Sequence, residues 1–467
     1  MNDPAGRLQI HLHRQTGGLG VKIQSSRLTN ASRVFIGKDL RATLATLPSL
    51  FSVCATAQTV ACVTAGEAAL GLRPHPRVLA TRLLLVELET VREHLWRLLL
   101  DWPRFLGEAP QGPAMAQVMA AFDQGRRVLV ANDDPLRPGA ELDARAGHNR
   151  PDAASAAAAT AATPTASAIA AAPALTALSA ITKRQVLGQS PGDWLATTRD
   201  LQALRHWARR SDTAAARLIA LVDHQGWAGL GRSPVAVLPP LTLAALDARL
   251  SGPGAEAFIA TPLWQGAAAE STPFARQLDQ PLVADLAREL GNGLLPRLAA
   301  QLVELASLLV ELPRLLVALA DGATPDAPAR EPATPADPVR GPARPSGNGP
   351  GHLASKVPLP NDLTAGVVAA QGVSPQGLEA AAAQSAGTGL AQVQAARGLL
   401  VHRLTLERGR LADYRILAPT EWNFHPQGAA ALGLANLPPA DDATLRRLAG
   451  LFITALDPCI AYDISVI

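Results

Sequence analysis

Two of the chain's three cysteines stand in the stretches Leu456-Asp457-Pro458-Cys459-Ile460-Ala461-Tyr462 and Leu50-Phe51-Ser52-Val53-Cys54-Ala55-Thr56-Ala57-Gln58, near opposite ends of the sequence. Cys54 stands at the predicted start of an apolar helix, where the helix dipole and the free backbone N–H groups favour the thiolate form. Thiolates are the protein ligands that soft metal ions prefer. Cys54 and Cys459 therefore either share one metal ion, if the two stretches meet in the fold, or pack as two separate buried thiols.

The composition limits the class of protein. Of the 467 residues, 48% are hydrophobic and 17% are charged, so the chain can bury a sizeable core. The 42 basic and 39 acidic residues are too evenly balanced to indicate a nucleic-acid or anionic-membrane partner. Three cysteines without a CxxC pair exclude both a disulfide scaffold and a closed four-cysteine metal site. The amino terminus shows no signal-peptide pattern and the longest apolar stretch is interrupted by charges, so we expect a cytoplasmic protein with no membrane span.

Two stretches interrupt the globular pattern. Residues 138–185 are rich in Ala, Thr and Pro, and residues 321–355 are rich in Pro, Ala and Gly. Neither shows the apolar periodicity that would offset the loss of chain entropy, so we predict two disordered linkers. The remaining parts, 1–137, 186–320 and 356–467, are expected to form one globular unit.

Short-range patterns predict the secondary structure of the ordered parts. Alternating apolar residues around a turn predict two β-hairpins, one over 8–23 and one over 400–417. Helical periodicity dominates elsewhere, for example over 78–100 and near 440–455, with a short tail after the second of these helices. Ser190, followed by a proline and then by an aspartate three positions on, predicts a helix start. The fold class is therefore α+β and mainly α-helical.

The two cysteine stretches resemble motifs of the large subunit of nickel–iron hydrogenases, which has an amino-terminal R-I-C-G-V-C-T-x-x-H and a carboxy-terminal D-P-C-x-x-C. Cys54 matches the second cysteine of the first motif, and Cys459 matches the first cysteine of the last, with Asp457-Pro458 intact. A family glutamate after the first motif falls on Glu67. Three further motifs are echoed in the family's order by Glu270-Ser271-Thr272-Pro273-Phe274-Ala275-Arg276, by Arg397-Gly398 through His402, and by Pro419-Thr420-Glu421-Trp422-Asn423. The resemblance spans nearly the whole chain and implies a hydrogenase-large-subunit-like fold in which the two ends meet.

Departures from the family pattern affect the chemistry. The positions of the two other cysteines, the motif histidine, the carboxy-terminal metal-binding histidine and the proton-relay glutamate hold Phe51, Tyr462, Gln58, Ser465 and Ala5. Two thiolates do not supply the coordination sphere that nickel has in the enzyme, and proton delivery lacks its relay. No nickel and no catalysis are therefore expected. Two thiolates could still hold an iron that already carries cyanide and carbon monoxide.

This pattern is similar to the HupK family of hydrogenase accessory proteins. The resemblance implies a non-catalytic scaffold for hydrogenase maturation, which transiently holds the iron–cyanide–carbonyl unit by Cys54 and Cys459. The unit would then pass to the hydrogenase large-subunit precursor, and the expected partners are that precursor and small maturation chaperones. Two alternatives remain open: a metal-free chaperone of the maturation machinery, and a residual redox or hydrogen-handling enzyme.

The candidates for contacts around the metal or its ligands are Arg397, Asp457, Pro458, Thr420 and Glu67. Arg397 could donate hydrogen bonds to a cyanide nitrogen, or it could form a salt bridge with a nearby carboxylate. Thr420 could donate to a diatomic ligand, and Asp457 with Pro458 is expected to shape the turn before Cys459. A structural role, as a buried carboxylate paired with arginine, is the other interpretation of Glu67 and also applies to Glu270. Core packing is the expected role of Cys62.

Overall fold

The computed structural model describes residues 6–131, 134–140, 164–320, 364–370 and 386–467. Most of this part of the chain is helical, and its strands form three small sheets. The predicted class, α+β and mainly helical, is confirmed. Among the helices of the described ranges, none combines the length and hydropathy needed to cross a bilayer.

The described chain begins with a hairpin, continues mainly through helices and returns to strands near its end. The strands are β1 (Arg7–Gln15), β2 (Gly18–Ser25), β3 (Ala236–Val237), β4 (Ala269–Glu270), β5 (Thr364–Ala370), β6 (Ala386–Ala395), β7 (Gly398–Glu407), β8 (Arg410–Leu417) and β9 (Ala461–Val466). The helices are α1 (Leu40–Leu50), α2 (Ala55–Ala69), α3 (Pro76–Trp96), α4 (Trp102–Phe105), α5 (Gly112–Val130), α6 (Pro164–Thr182), α7 (Pro191–Thr197), α8 (Leu201–Arg210), α9 (Ala214–His224), α10 (Leu243–Leu250), α11 (Ala255–Ala260), α12 (Pro273–Arg276), α13 (Pro281–Leu290), α14 (Leu294–Ala320), α15 (Pro419–Asn423), α16 (Ala429–Ala435) and α17 (Asp442–Leu456). A 3-10 turn and two π-helical segments supplement them at Ala31–Phe35, Arg97–Asp101 and Lys183–Leu187.

The first sheet joins the two ends of the chain. Its strand order is β2-β1-β9, with β1 antiparallel to β2 and parallel to β9. Arg7 lies opposite Ala461 and Leu12 lies opposite Val466, so the pairing holds over the whole of β9. The predicted amino-terminal hairpin is confirmed. The predicted tail after α17 is instead a strand, because its backbone pairs with β1, and this pairing fixes the chain just after Cys459.

The second sheet has the order β5-β6-β7-β8, all antiparallel, and packs against α2. The predicted hairpin over 400–417 is confirmed as β7 and β8, whereas β6 was not predicted. Gly389 in β6 allows the close approach to α2, since a Cβ there would lie 1.9 Å from the carbonyl oxygen of Ala65. The sheet therefore supports the helix that begins next to Cys54.

One of the two predicted linkers is partly wrong. From Pro164 onward, the predicted linker 138–185 forms α6, and Leu175 and Leu178 of this helix are buried in the core. Apolar residues at spacings of three and four build one face, and packing of that face stabilises a helix that the prolines and low complexity had argued against. The earlier part of this stretch, 141–163, and the predicted linker 321–355 lie outside the described residues.

The main hydrophobic core draws on all three ordered parts of the chain. It includes Leu8 from β1, Leu98 after α3, Leu302 from α14 and Phe452 from α17. Helix α7 starts where the sequence predicts, since the Ser190 hydroxyl accepts the Asp193 N–H at 3.2 Å. The packing of these elements brings the start of α2 to the end of α17, which is where the candidate site lies.

Candidate metal centre

Cys54 and Cys459 line one cavity, although they stand near opposite ends of the sequence. Cys54 directly precedes α2, and Cys459 lies in the short connection between α17 and β9. Besides the two cysteines, the cavity is lined mainly by apolar side chains, with four polar ones from Arg27, Ser52, Gln58 and Arg397. The predicted meeting of the two cysteine stretches is therefore present in the fold.

The Cys54 thiol does not have the electrostatic environment that the sequence predicts. Glu89 on α3 takes the helix-start donors, because its two carboxylate oxygens accept the N–H groups of Thr56 and Ala57 at 2.9 and 3.0 Å. Burial raises the pKa of Cys54 to about 12; Cys459 and Glu89 add to this shift, and Arg397 opposes it. The expected bias toward thiolate is wrong, since burial and a neighbouring carboxylate outweigh the helix dipole.

Cys459 has a different set of neighbours. The Thr420 hydroxyl lies 2.7 Å from its sulfur, and Arg27 donates to the same sulfur from 3.7 Å. Arg27 also forms an ion pair with Glu421 at 3.3 Å. Thr420, predicted to contact a diatomic ligand, thus contacts the cysteine itself. Arg27 was not predicted, because it follows β2 outside every recognised motif and only the fold brings it to Cys459.

Arg397 forms the salt bridge that was one of the two roles left open by the sequence, and it also faces the cavity. Its Nη1 lies 2.7 Å from Glu93, its Nε lies 3.3 Å from Asp457, and its side chain lines the cavity. Burial works against its positive charge, but Asp457, Glu93 and Cys459 outweigh burial and raise the pKa of Arg397. The guanidinium is therefore a permanent positive charge beside both cysteines.

Asp457 and Pro458 set the direction of the chain before Cys459. Asp457 ends α17 with a left-handed backbone (φ 53°), and its N–H is donated to the Ile453 carbonyl at 3.0 Å. Arg97 donates to the Asp457 carboxylate and to the Pro458 carbonyl, both at 2.5 Å. These contacts fix the turn that presents Cys459 to the cavity.

The candidate Glu67 and the third cysteine, Cys62, lie away from the cavity, and Cys62 has the core position expected for it. Glu67 is three turns along α2, about 20 Å from the helix start at 1.5 Å per residue. There it accepts from Arg82 at 2.5 and 2.8 Å and from the Gly139 N–H at 2.9 Å. Cys62 is buried between α2 and the second sheet, and burial raises its pKa to about 12. Both positions are those of core residues.

The other buried carboxylate singled out by its motif also pairs with arginine. Glu270 accepts from Arg297 at 2.9 and 2.7 Å, and both side chains are fully buried.

Few side chains at the cavity could serve as metal ligands. Over the described ranges, no group of three or more His, Cys, Asp or Glu side chains is arranged to hold a metal ion. Aromatic rings stand where the family has its other cysteines: Phe51 lines the cavity under the Arg27 guanidinium, and the Tyr462 hydroxyl donates to the Gly450 carbonyl at 3.3 Å. Two thiols suit a metal that brings most of its own ligands, and they fit a bare ion poorly.

Cys459 also borders a second, wider cavity of about 660 Å³. Arg397 and Ile460 line both cavities, and Trp96 and Arg104 line only the second. Cys54 lines only the first. Cys459 therefore borders two cavities, whereas Cys54 borders one, and both cysteines are partly exposed.

Curated relatives cover nearly the whole chain. It is 29% identical over 452 residues to "Hydrogenase expression/formation protein HoxV" of Cupriavidus necator, covering 95% of this chain and 92% of the relative. It is 28% identical to HupV of Azotobacter chroococcum and 27% identical to HupK of Azotobacter vinelandii, each over 99% of both chains. No protein-family model matches the chain.

Solved structures show the same fold. The nickel–iron–selenium hydrogenase from D. vulgaris Hildenborough superposes with a TM-score of 0.55 at 14% identity, over 96% of this chain and 94% of that chain. The enzyme from Desulfomicrobium baculatum gives 0.54 at 13% identity, over 96% and 95%. The expected fold and the expected relationship are both confirmed. The chain is a homologue, over nearly its full length, of the hydrogenase expression/formation proteins HoxV, HupV and HupK, and it has the fold of a nickel–iron hydrogenase large subunit.

Proposed function

We propose that this chain is a non-catalytic factor in nickel–iron hydrogenase maturation, and that it transiently holds iron carrying cyanide and carbon monoxide between Cys54 and Cys459. The observation that carries the proposal is that these two thiols line one mainly apolar cavity beside Arg27 and Arg397. The names of the homologues support the maturation role. The cargo would pass to the hydrogenase large-subunit precursor, with small maturation chaperones as further partners.

The charges around the cavity suit such a cargo. Thiolate and cyanide are both anionic, so the bound unit brings negative charge into a buried space, which is unfavourable unless cations lie close. Arg27 lies 3.7 Å from the Cys459 sulfur, and Arg397 stays charged between Glu93 and Asp457. Either guanidinium can donate hydrogen bonds to a cyanide nitrogen.

Other features suit release of the cargo. Burial favours the protonated Cys54, with a pKa raised to about 12, so the free thiol competes with the metal-bound form. Cys459 borders the second, wider cavity, which gives a receiving protein a path to the cargo. A site with two thiols and a stable empty form can give up its metal, as a carrier must.

Infrared spectroscopy tests the proposal directly. Protein purified without air from cells that express the hydrogenase maturation genes is expected to show cyanide and carbon monoxide stretching bands. The control is the same protein from cells that lack the maturation genes, where no bands are expected. Absence of these bands from both samples, with hydrogenase maturation still dependent on the protein, would contradict the carrier function and favour a metal-free chaperone.

Retention of the cargo is expected to weaken as the pH falls. Cys54 is protonated below its raised pKa of about 12 and must lose that proton to bind metal. For each proton that the iron unit displaces on binding, the affinity of the protein for that unit therefore falls by up to about tenfold per pH unit of acidification. The measurement is the intensity of the infrared bands after loaded protein is incubated between about pH 8 and pH 6 with an iron chelator. Retention that is independent of pH would show that Cys54 gives up no proton on loading.

A further inference from the structure

A row of buried polar side chains leads from the second sheet to the Cys54 sulfur. The Gln58 side-chain nitrogen lies 3.8 Å from the sulfur, and its oxygen lies 2.8 Å from Nε2 of His402. The Tyr414 hydroxyl lies 2.9 Å from Nδ1 of the same histidine. Gln58 and His402 are fully buried and Tyr414 is 2% exposed, so water does not compete for the hydrogen bonds among these three residues.

Helix α2 and strands β7 and β8 place these side chains next to one another. Gln58 is one turn after Cys54 on α2, so its side chain lies on the same helix face. His402 is on β7 and Tyr414 is on β8, as diagonal neighbours on one face of the sheet, with ring centroids 5.6 Å apart.

The orientation of the Gln58 amide, with its nitrogen toward Cys54 and its oxygen toward His402, gives the row a direction. Burial lowers the pKa of His402 to about 3, so the ring is neutral near pH 7 and carries one N–H. The Gln58 oxygen can only accept, which places that hydrogen on Nε2. The bare Nδ1 then accepts from the Tyr414 hydroxyl, and the Gln58 nitrogen donates to sulfur.

We propose that this hydrogen-bond chain has one fixed direction and ends as a donor on the Cys54 sulfur, with Gln58 as the last donor and His402 as the residue that orients its amide. A metal-bound thiolate carries no proton and can only accept, so this direction suits the loaded site better than the free thiol. The inference deepens the proposed function and depends on it for the statement that Cys54 binds iron.

The two cysteine sulfurs consequently have different hydrogen-bond donors. Cys459 is contacted by a hydroxyl and a guanidinium from Thr420 and Arg27, whereas Cys54 receives a neutral amide N–H. The helix-start N–H groups are taken by Glu89, so the Gln58 amide supplies the donation to Cys54 that the helix would otherwise give. Such outer hydrogen bonds reduce the charge on a metal-bound ligand and hold it in place.

The direction can be measured without any cargo. In protein labelled with ¹⁵N-histidine, we expect the His402 signals to show a protonated Nε2 and a bare Nδ1 near pH 7, with His402→Asn used for assignment. A protonated Nδ1 would mean that the amide is reversed and that its oxygen faces Cys54, which would overturn the proposal.

The effect of the Gln58 hydrogen bond on the bound iron unit is measured in loaded protein. Gln58→Met keeps the side-chain length but lacks the N–H, so we expect the carbon monoxide band at lower wavenumber and release to a chelator about tenfold faster. Tyr414→Phe is expected to shift the band in the same direction but less. Thr405→Val is the matched control, because it removes a hydrogen bond to Thr388 within the same sheet but outside the chain to Cys54.

The possible outcomes separate the two proposals. Bands that are present but unmoved in Gln58→Met overturn the hydrogen-bond inference and leave the carrier function intact. Absence of bands from the wild-type protein contradicts the carrier function and, with it, the part of the inference that places iron on Cys54. The histidine signals then still decide the direction of the chain.

Discussion

Cys54→Ser and Cys459→Ser, separately or together, are expected to abolish the cyanide and carbon monoxide bands of the purified protein. A serine hydroxyl is a hard, weakly acidic ligand and does not replace a thiolate on iron. With only two cysteines at the cavity, loss of either leaves the cargo with a single protein ligand. Retention should therefore fall by more than the roughly 10–100-fold that loss of an outer hydrogen-bond partner causes.

Cys62→Ser is the matched control for these variants. Cys62 is buried on the same helix but packs between α2 and the second sheet, away from the cavity. We expect this variant to keep both sets of bands and to support hydrogenase maturation in cells. If the single Cys54 and Cys459 variants retain full bands while hydrogenase activity is unchanged, the two thiols are not the cargo ligands.

Asp457→Ala is expected to lower the free energy of unfolding by about 3–5 kcal/mol, the range for removing one partner of a buried ion pair. The Asp457 side chain is fully buried and contacts two arginines, Arg97 at 2.5 Å and Arg397 at 3.3 Å. Both ion pairs keep the pKa of Asp457 low against the effect of burial, so the carboxylate is charged in the folded protein. Its removal leaves two guanidinium groups without their shared counter-charge.

Two further variants separate charge from backbone effects. Asp457→Asn keeps a side chain that tolerates the left-handed backbone but removes the charge, so it should be less destabilised than the alanine variant. Asp463→Ala breaks the exposed ion pair with Arg7, in which the aspartate side chain is 63% exposed, and should change stability by less than about 1 kcal/mol. Urea unfolding of the three variants measures these differences. Equal effects of Asp457→Ala and Asp463→Ala would contradict the role of Asp457 as the shared counter-charge.

The sequence was a good guide to features that depend on neighbouring residues. Alternation around glycine turns predicted the hairpins β1–β2 and β7–β8, and the Ser190 cap predicted the start of α7. These features depend on local patterns, since side-chain spacing and cap chemistry act within a few residues. The motif resemblance also identified Cys54 and Cys459 as neighbours and Arg397 as a residue beside them.

Features that depend on distant segments were missed or mistaken. Helix α6 follows a low-complexity stretch and is stabilised by its packing in the core, and β9 is a strand because β1 offers it a pairing edge. Arg27 reaches the Cys459 sulfur only because the sheet that joins the two ends of the chain carries it there.

What the sequence by itself determined is the local architecture, the family resemblance and the presence of two thiols where the hydrogenase pattern has four. What only the tertiary structure decided is the chemical state of the Cys54 thiol. Glu89, from another helix, takes the N–H groups at the start of α2, and burial raises the pKa of Cys54 to about 12. The physical reason is that hydrogen bonding within a helix is local, whereas desolvation and the charges around a buried group depend on every segment packed against it.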